Sequence, residues 1–211
     1  VKRFFGEPAT RWASLRNRLH VYVLPDSELR SALSARQAVL EGVEYCSVQP
    51  EPYLHATVQQ FATSAEEVSR EEVEAFTERL ALLAEETEPF SIELGAPVVD
   101  DFALGVRGAL SPAWTSLVDG VREAAAATIN QGRAMPPGPF GPHVTLGYGL
   151  ADGSGEQLQR ESDLLAAEPL PALKVASLHF LAVHQDTGAG TFTWDATVPF
   201  ELGTSRTGAG L

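Results

Sequence analysis

Two copies of one short pattern constrain this chain more than any other feature. The first is Pro52-Tyr53-Leu54-His55-Ala56-Thr57-Val58 and the second is Phe140-Gly141-Pro142-His143-Val144-Thr145-Leu146. Each sets a His and a Thr two residues apart in a β-prone run. In a strand, residues i and i+2 point to the same face, roughly 6–7 Å apart. Each copy therefore aims an imidazole and a hydroxyl at one side of a sheet. Two such strands brought together place two imidazoles and two hydroxyls around one cleft.

The surroundings of the two copies repeat as well. Arg18 to Leu24 alternates like a strand and is stopped by Pro25. Asp26 or Ser27 caps a helix to about Leu40, and a polar loop leads to the first His strand, Leu54 to Phe61. Ser64 and Glu67, or Ser69 and Glu72, read as a capping box ahead of a helix carrying Val73, Phe76, Leu80 and Leu83. Phe90 to Val98 reads as a strand. The same order restarts with a strand over Phe102 to Arg107. Ser111-Pro112 is then an N-cap with proline at the first helical position. Trp114, Leu117, Val118, Val121 and Ala125 form that helix's apolar face. A Pro/Gly-rich loop leads to the second His strand, His143 to Tyr148. Ser154 and Gln157 open a helix to about Ala167, and strands over Leu173–Val183 and Thr191–Phe200 pair across a turn.

Both halves thus read β-α-β(His-x-Thr)-α-β. The expected class is α+β: a bilobal, duplicated domain with two mixed or antiparallel sheets around a central groove and helices on the outer sides. The domain spans 18–200, with lobes at about 18–99 and 100–200. Residues 1–17 read as an N-terminal extension and 201–211 as a disordered tail.

Composition narrows the partners. The net charge is −13, and between Ser64 and Glu88 nine Glu oppose only Arg70 and Arg79. That run is the wet face of a helix. A chain this acidic lacks the electrostatic footprint of a duplex-binding protein. No apolar stretch approaches the roughly 20 residues of a membrane span, and the N-terminus lacks the apolar core of a secretion signal. The single cysteine, Cys46, excludes an internal disulfide and a cysteine metal cluster, and fits a reducing cytoplasm. The expectation is a cytoplasmic monomer.

The paired motifs suit in-line chemistry at phosphorus. One of His55 and His143 acts as base and the other as acid, with Thr57 and Thr145 on the phosphate oxygens. No metal and no cofactor is expected. No further His/Asp cluster completes a metal site, and no phosphate-binding glycine loop or nucleophile elbow is present. His20 and Tyr22 share a strand face that reaches the groove. Tyr148, Phe192 and Trp194 are further groove-lining candidates, as ring stacking on a base needs such residues. Tyr53 and Phe140 read as packing residues first. Arg107 and Arg133 are the arginines nearest to a second phosphate contact. His179 and His184 take opposite faces of their strand, with His184 near the turn.

On His55-Ala56-Thr57-Val58 and His143-Val144-Thr145-Leu146, and on the duplicated order over about residues 18 to 200, the chain resembles the 2H phosphoesterase superfamily. That superfamily includes bacterial 2′-5′ RNA ligase-like proteins and cyclic phosphodiesterases. The Phe140-Gly141-Pro142 lead into the second motif is similar to the aromatic-x-Pro lead common there. The resemblance implies a bilobal fold, a cleft holding both His-x-Thr pairs, and metal-independent reactions of cyclic or 2′-5′ phosphodiesters. Many RNA-ligase-like members carry an Arg shortly after the second motif; this chain has Tyr148. The implied activity is a phosphodiesterase on 2′,3′-cyclic phosphate ends or small cyclic or 2′-5′-linked nucleotides. A non-catalytic module binding nucleotides or RNA ends and a 2′-5′ RNA ligase are the alternatives.

Overall fold

The structure, a computed structural model, describes residues 1–6, 12, 14–165 and 168–203. The first strand, β1 (Arg18–Val23), is almost wholly buried. Pro25 and Asp26 then end it: the Asp26 Oδ1 accepts from Leu29 N at 2.9 Å and caps α1 (Ser27–Arg36). The helix expected to Leu40 is α-helical for ten residues and tightens into a 3₁₀ turn over Gln37–Leu40. After β2 (Ala56–Ser64), both candidate capping boxes form. Ser64 and Glu67 close a 3₁₀ turn, and Ser69 and Glu72 start α2 (Arg70–Glu86), which buries Phe76, Leu80 and Ala84.

Next come β3 (Phe90–Ile92), β4 (Val98–Val99) and β5 (Ala103–Arg107). Ser111 then caps α3 (Pro112–Ala126), whose Trp114, Leu117, Val121 and Ala125 are buried as their spacing requires. β6 (His143–Tyr148) follows, then α4 (Gly155–Leu165). Ser154 Oγ accepts from Gln157 N, but the Gln157 side chain bonds Glu161 rather than turning back, so that box is half formed. The chain closes with β7 (Leu173–Val175), β8 (Ser177–Asp186), β9 (Thr191–Thr193) and β10 (Thr197–Glu201). Ala166, Ala167 and residues 204–211 lie outside the described residues; of the expected tail 201–211, Glu201 instead ends β10 and Leu202 is buried in the core.

The class is α+β with antiparallel pairing throughout. Eight strands form one array in the order β10-β8-β1-β2-β6-β5-β4, with β9 also on β8, and β3 and β7 make a separate pair. The two His strands meet at its centre through a single paired position, Ala56 opposite Val144. The apolar faces of the helices pack with Val21, Val58, Val106 and Leu146 into the main core. A second, aromatic cluster of Phe5, Trp12, Tyr22, Tyr148, Phe192 and Trp194 forms separately.

Three expected strands are each split. Phe90–Val98 becomes β3 and β4, which pair in different sheets; Gly95 and Pro97 lie between, and proline has no N–H to donate to a ladder. Leu173–Val183 becomes β7 and β8, and Thr191–Phe200 becomes β9 and β10. The division at residues 99/100 also differs from the pairing. β8 and β10 lie beyond β1, on the first-half side, whereas β4 pairs with β5. The outer edge of β1 would otherwise bury unpaired amides and carbonyls, and the ten-residue β8 satisfies them.

Described residues of the expected N-terminal extension dock on the domain. Lys2 N donates to Asp101 O at 2.6 Å and Phe4 N to Gly149 O at 2.8 Å, while Trp12 N reaches Gln185 Oε1 at 3.2 Å. A Cβ on Gly149 would stand 2.0 Å from Lys2 O, so only glycine admits this contact.

Candidate active site

His55 precedes β2 and His143 opens β6, so the central join of the sheet sets both at one place. A cavity of about 430 Å³ is lined by His55, Thr57, His143 and Thr145 together. The i, i+2 geometry therefore does what the sequence implied, bringing four polar side chains to one groove.

Each motif is followed by a β-bulge. The register runs Val21 with Gln59 and then Tyr22 with Thr57, leaving Val58 as the extra residue of β2. In the second half it runs Leu104 with Gly147 and then Gly105 with Thr145, leaving Leu146 extra in β6. A bulge shifts the alternation by one residue. Gln60 and Tyr148, three residues after their threonines, therefore also line the groove. The path of β6 leaves no room for a side chain at Gly147: a Cβ there would lie 2.1 Å from Ser47 O.

The two histidines are held alike. His55 Nδ1 lies 2.8 Å from Tyr53 O, and His143 Nδ1 lies 2.9 Å from Gly141 O. A carbonyl oxygen only accepts, so Nδ1 carries the proton and Nε2 of each neutral ring is a free lone pair. Ring stacking fixes each plane. Tyr22 stacks on His55 at 4.1 Å between centroids and 14° between planes, and Phe140 stacks on His143 at 5.0 Å and 10°.

Their electrostatics differ. Burial drives His55 down to about 4, against the stabilising bond to Tyr53 O, and the neighbouring His143 lowers it further. Burial also lowers His143; its bond to Gly141 O opposes this, Arg107 adds to the lowering and Asp100 counteracts it. Arg107 and Asp100 form an ion pair at 2.7 Å, and the Arg107 guanidinium lies over the Phe140 ring at 5.2 Å. Burial raises Tyr22 well above its ordinary value and Tyr148 well above its own, so both stay protonated. The neighbouring Thr57 and Thr145 hydroxyls each temper the rise, at Tyr22 and Tyr148 respectively.

Of the other sequence candidates, His20, Tyr22, Tyr148, Phe192 and Arg107 line the cavity. Trp194 does not. It packs edge-on behind His55 at 5.6 Å and against Tyr53 at 5.0 Å, supporting the ring from outside. Arg133 is committed to Glu72, the Glu67 carbonyl and the Ile129 carbonyl. His179 bonds Ser177 and lies near Thr197, and His184 accepts from Asn17 N and faces Asp195, all away from the cavity. Phe140 is 70% exposed, so it is a wall of the groove rather than a packing residue. Sequence reading missed Phe4, Trp12, Phe102 and Gln60 among the lining residues. The bulge hid Gln60, and Phe4 and Trp12 lie in a segment without periodicity. Their only signal was large aromatic side chains in a stretch that had no other reason to carry them.

Among the described residues, no three His, Cys, Asp or Glu side chains converge as metal ligands. No helix among them is long and apolar enough to cross a membrane. The groove defines a class: two strands, each with a histidine and threonine, facing one cavity. A family model described as the 2′-5′ RNA ligase superfamily matches residues 54–187, and the chain belongs to that superfamily, the 2H phosphoesterases. No curated protein matches significantly. Among solved structures, the fold is similar to TT0787 of Thermus thermophilus, with a TM-score of 0.66 and 18% identity over 90% of this chain and 100% of that one. It is also similar to Escherichia coli LigT complexed with 3′-AMP, with a TM-score of 0.60 and 19% identity over 88% and 98% of the two chains.

Proposed function

We propose that this protein is a metal-independent phosphodiesterase acting on 2′,3′-cyclic phosphate ends or on small cyclic or 2′-5′-linked nucleotides. The observation that carries the reading is the pair of free Nε2 atoms, fixed by the same carbonyl bond, in one cavity with both motif threonines. His55 is the base. Held neutral down to about pH 4, its Nε2 takes a proton from water as the water oxygen attacks phosphorus. His143, beside Asp100, is the acid. Its imidazolium Nε2 donates a proton to the departing ribose oxygen, so the P–O bond breaks without leaving an alkoxide. Thr57 and Thr145, in the same cavity as the two imidazoles, donate their hydroxyl protons to the non-bridging phosphate oxygens as charge builds there.

The 3′-AMP in LigT is a phosphorylated nucleoside, the same chemical class as the product of cyclic phosphate opening. The acidic balance of this chain favours a small nucleotide or RNA end over a duplex. A buried free thiol at Cys46 suits a monomer in a reducing compartment such as the cytoplasm. Incubation with a 2′,3′-cyclic mononucleotide, with products separated by chromatography, is the test. Turnover to one monophosphate in the presence of EDTA supports the reading. Binding without turnover points to a nucleotide-binding module, and loss with EDTA restored by zinc or manganese points to metal chemistry.

A further inference from the structure

A third histidine is built like the two motif histidines. His20 Nδ1 lies 2.9 Å from Arg18 O, again the carbonyl two residues before, so its Nε2 is a free acceptor. The residue is 2% exposed, lines the same cavity, and Nε2 has no protein partner among the described residues. Its ring is clamped by Trp12 at 5.2 Å and Tyr22 at 5.1 Å. Burial takes it down to about 3, so it remains a neutral acceptor at any working pH.

The fold does not require a histidine there. His20 pairs with Gln60 after the first bulge, and the matching position after the second bulge, opposite Tyr148, is Ala103. The same strand geometry is thus built with a methyl group in one half and, in the other, with an imidazole whose ring lines the cavity. An acceptor that lines the groove and is paired to no described protein group is available to a donor on a ligand.

Arg18 adds charge next to this acceptor. Its Nε donates to Phe61 O and its guanidinium lies over Trp12 at 5.0 Å, while its two terminal nitrogens have no acceptor among the described residues. Glu67 lies nearby and its charge acts on Arg18, while its Oε2 is held by Ser64 N at 2.7 Å and Ser64 Oγ at 3.0 Å. A second cavity of about 280 Å³ shares Trp12 and Arg18 with the first, so the groove continues past His20. Along β1, His20 is about 7 Å and Arg18 about 13 Å from Tyr22, the residue stacked on His55.

We propose that His20, Arg18 and Trp12 form a recognition subsite for the nucleotide next to the reacting one. His20 Nε2 accepts a hydrogen bond from that nucleotide, Arg18 pairs with the linking phosphate, and the buried Trp12, against the His20 ring and beneath the Arg18 guanidinium, holds both in place. This rests on the phosphodiesterase reading and narrows it: the preferred substrate is an RNA end of at least two nucleotides rather than a lone cyclic mononucleotide. For adenosine at that position, the donors the subsite discriminates are the ribose 2′-hydroxyl and the exocyclic base amine.

The experiment compares kcat/KM for uridine 2′,3′-cyclic phosphate with that for an adenosine–uridine dinucleotide ending in the same cyclic phosphate. Two further dinucleotides replace the adenosine by 2′-deoxyadenosine or by a purine riboside without the amine. Wild-type protein is expected to favour the parent dinucleotide by about tenfold or more, as a hydrogen bond plus a charge contact implies. One of the two altered dinucleotides loses most of that preference and so names the donor. In His20→Phe, which keeps a ring of similar size, the parent and that altered dinucleotide become equal. His20→Gln, which retains an acceptor, restores part of the difference. Because each readout is a ratio, a general loss of activity cancels. A wild-type ratio near one, or a His20→Phe ratio equal to the wild-type ratio, overturns the subsite while the phosphodiesterase stands. A protein inert to every one of these substrates overturns both.

Discussion

His55 and His143 share a tautomer and differ in environment, which sets what pH does to them. Both lie below the ordinary value near 6.5, His55 at about 4. The base is lost when His55 protonates as pH falls, and the acid is lost when His143 deprotonates as pH rises. The kcat/KM profile of the free enzyme is therefore expected to be bell-shaped and acidic. Its alkaline limb falls below pH 6.5, and the two apparent values belong to the coupled pair. A plateau extending above pH 7 contradicts these roles. Arg107→Gln removes a cation that lowers His143, so the alkaline limb moves to higher pH. His55→Ala and His143→Ala should each lower kcat by about 10²-fold or more, the ordinary worth of a positioned acid or base. Thr57→Ala and Thr145→Ala remove one neutral donor each and cost less. Wild-type turnover in His55→Ala would end the two-histidine mechanism.

Strands place these residues, but bulges decide which others join them. Strict alternation sends Tyr148 and Thr145 to opposite faces. The extra Leu146 brings them together, and the extra Val58 does the same for Gln60 and Thr57. The second bulge depends on Gly147, where a methyl group would strike the Ser47 carbonyl, a backbone atom that cannot swing away. Gly147→Ala is expected to destabilise the fold by about 1–3 kcal/mol, the usual cost of overpacking, measured by urea unfolding. It should also reduce turnover, since Tyr148 and Thr145 shift with the strand. A variant as stable and active as the parent removes the structural role given to this glycine. The helix caps act more locally. Ser111→Ala, which removes the acceptor for Trp114 N, should cost about 1 kcal/mol and leave turnover intact.

Across the whole molecule, two buried histidines, His20 and His55, and the half-buried His143 sit in one groove, all lowered by desolvation. Unfolding returns each to about 6.5, so the unfolded chain binds more protons between the folded and unfolded values. Stability therefore falls as pH drops below 6.5. His20 alone, at about 3 when folded, accounts for about 2 kcal/mol of loss between pH 7 and 5, at 1.36 kcal/mol for each unit. His20→Phe should flatten the dependence of the unfolding midpoint on pH over that range, and an unchanged slope would contradict the buried neutral ring. Much of this molecule was legible in the chain itself. The α+β class, the order of helices and strands and the caps at Asp26, Ser69 and Ser111 follow from local rules, because alternation, helical spacing and capping act within a few residues, whereas the meeting of the two His-x-Thr strands was legible only through their duplication. The pairing of β8 with β1 across the repeat, the bulges that turn Gln60 and Tyr148 inward, and the docking of Phe4 and Trp12 over the groove were decided by tertiary structure. Those features depend on which distant backbone edge needs partners and which distant cavity has room for a ring, and neither quantity exists until the sheet has closed.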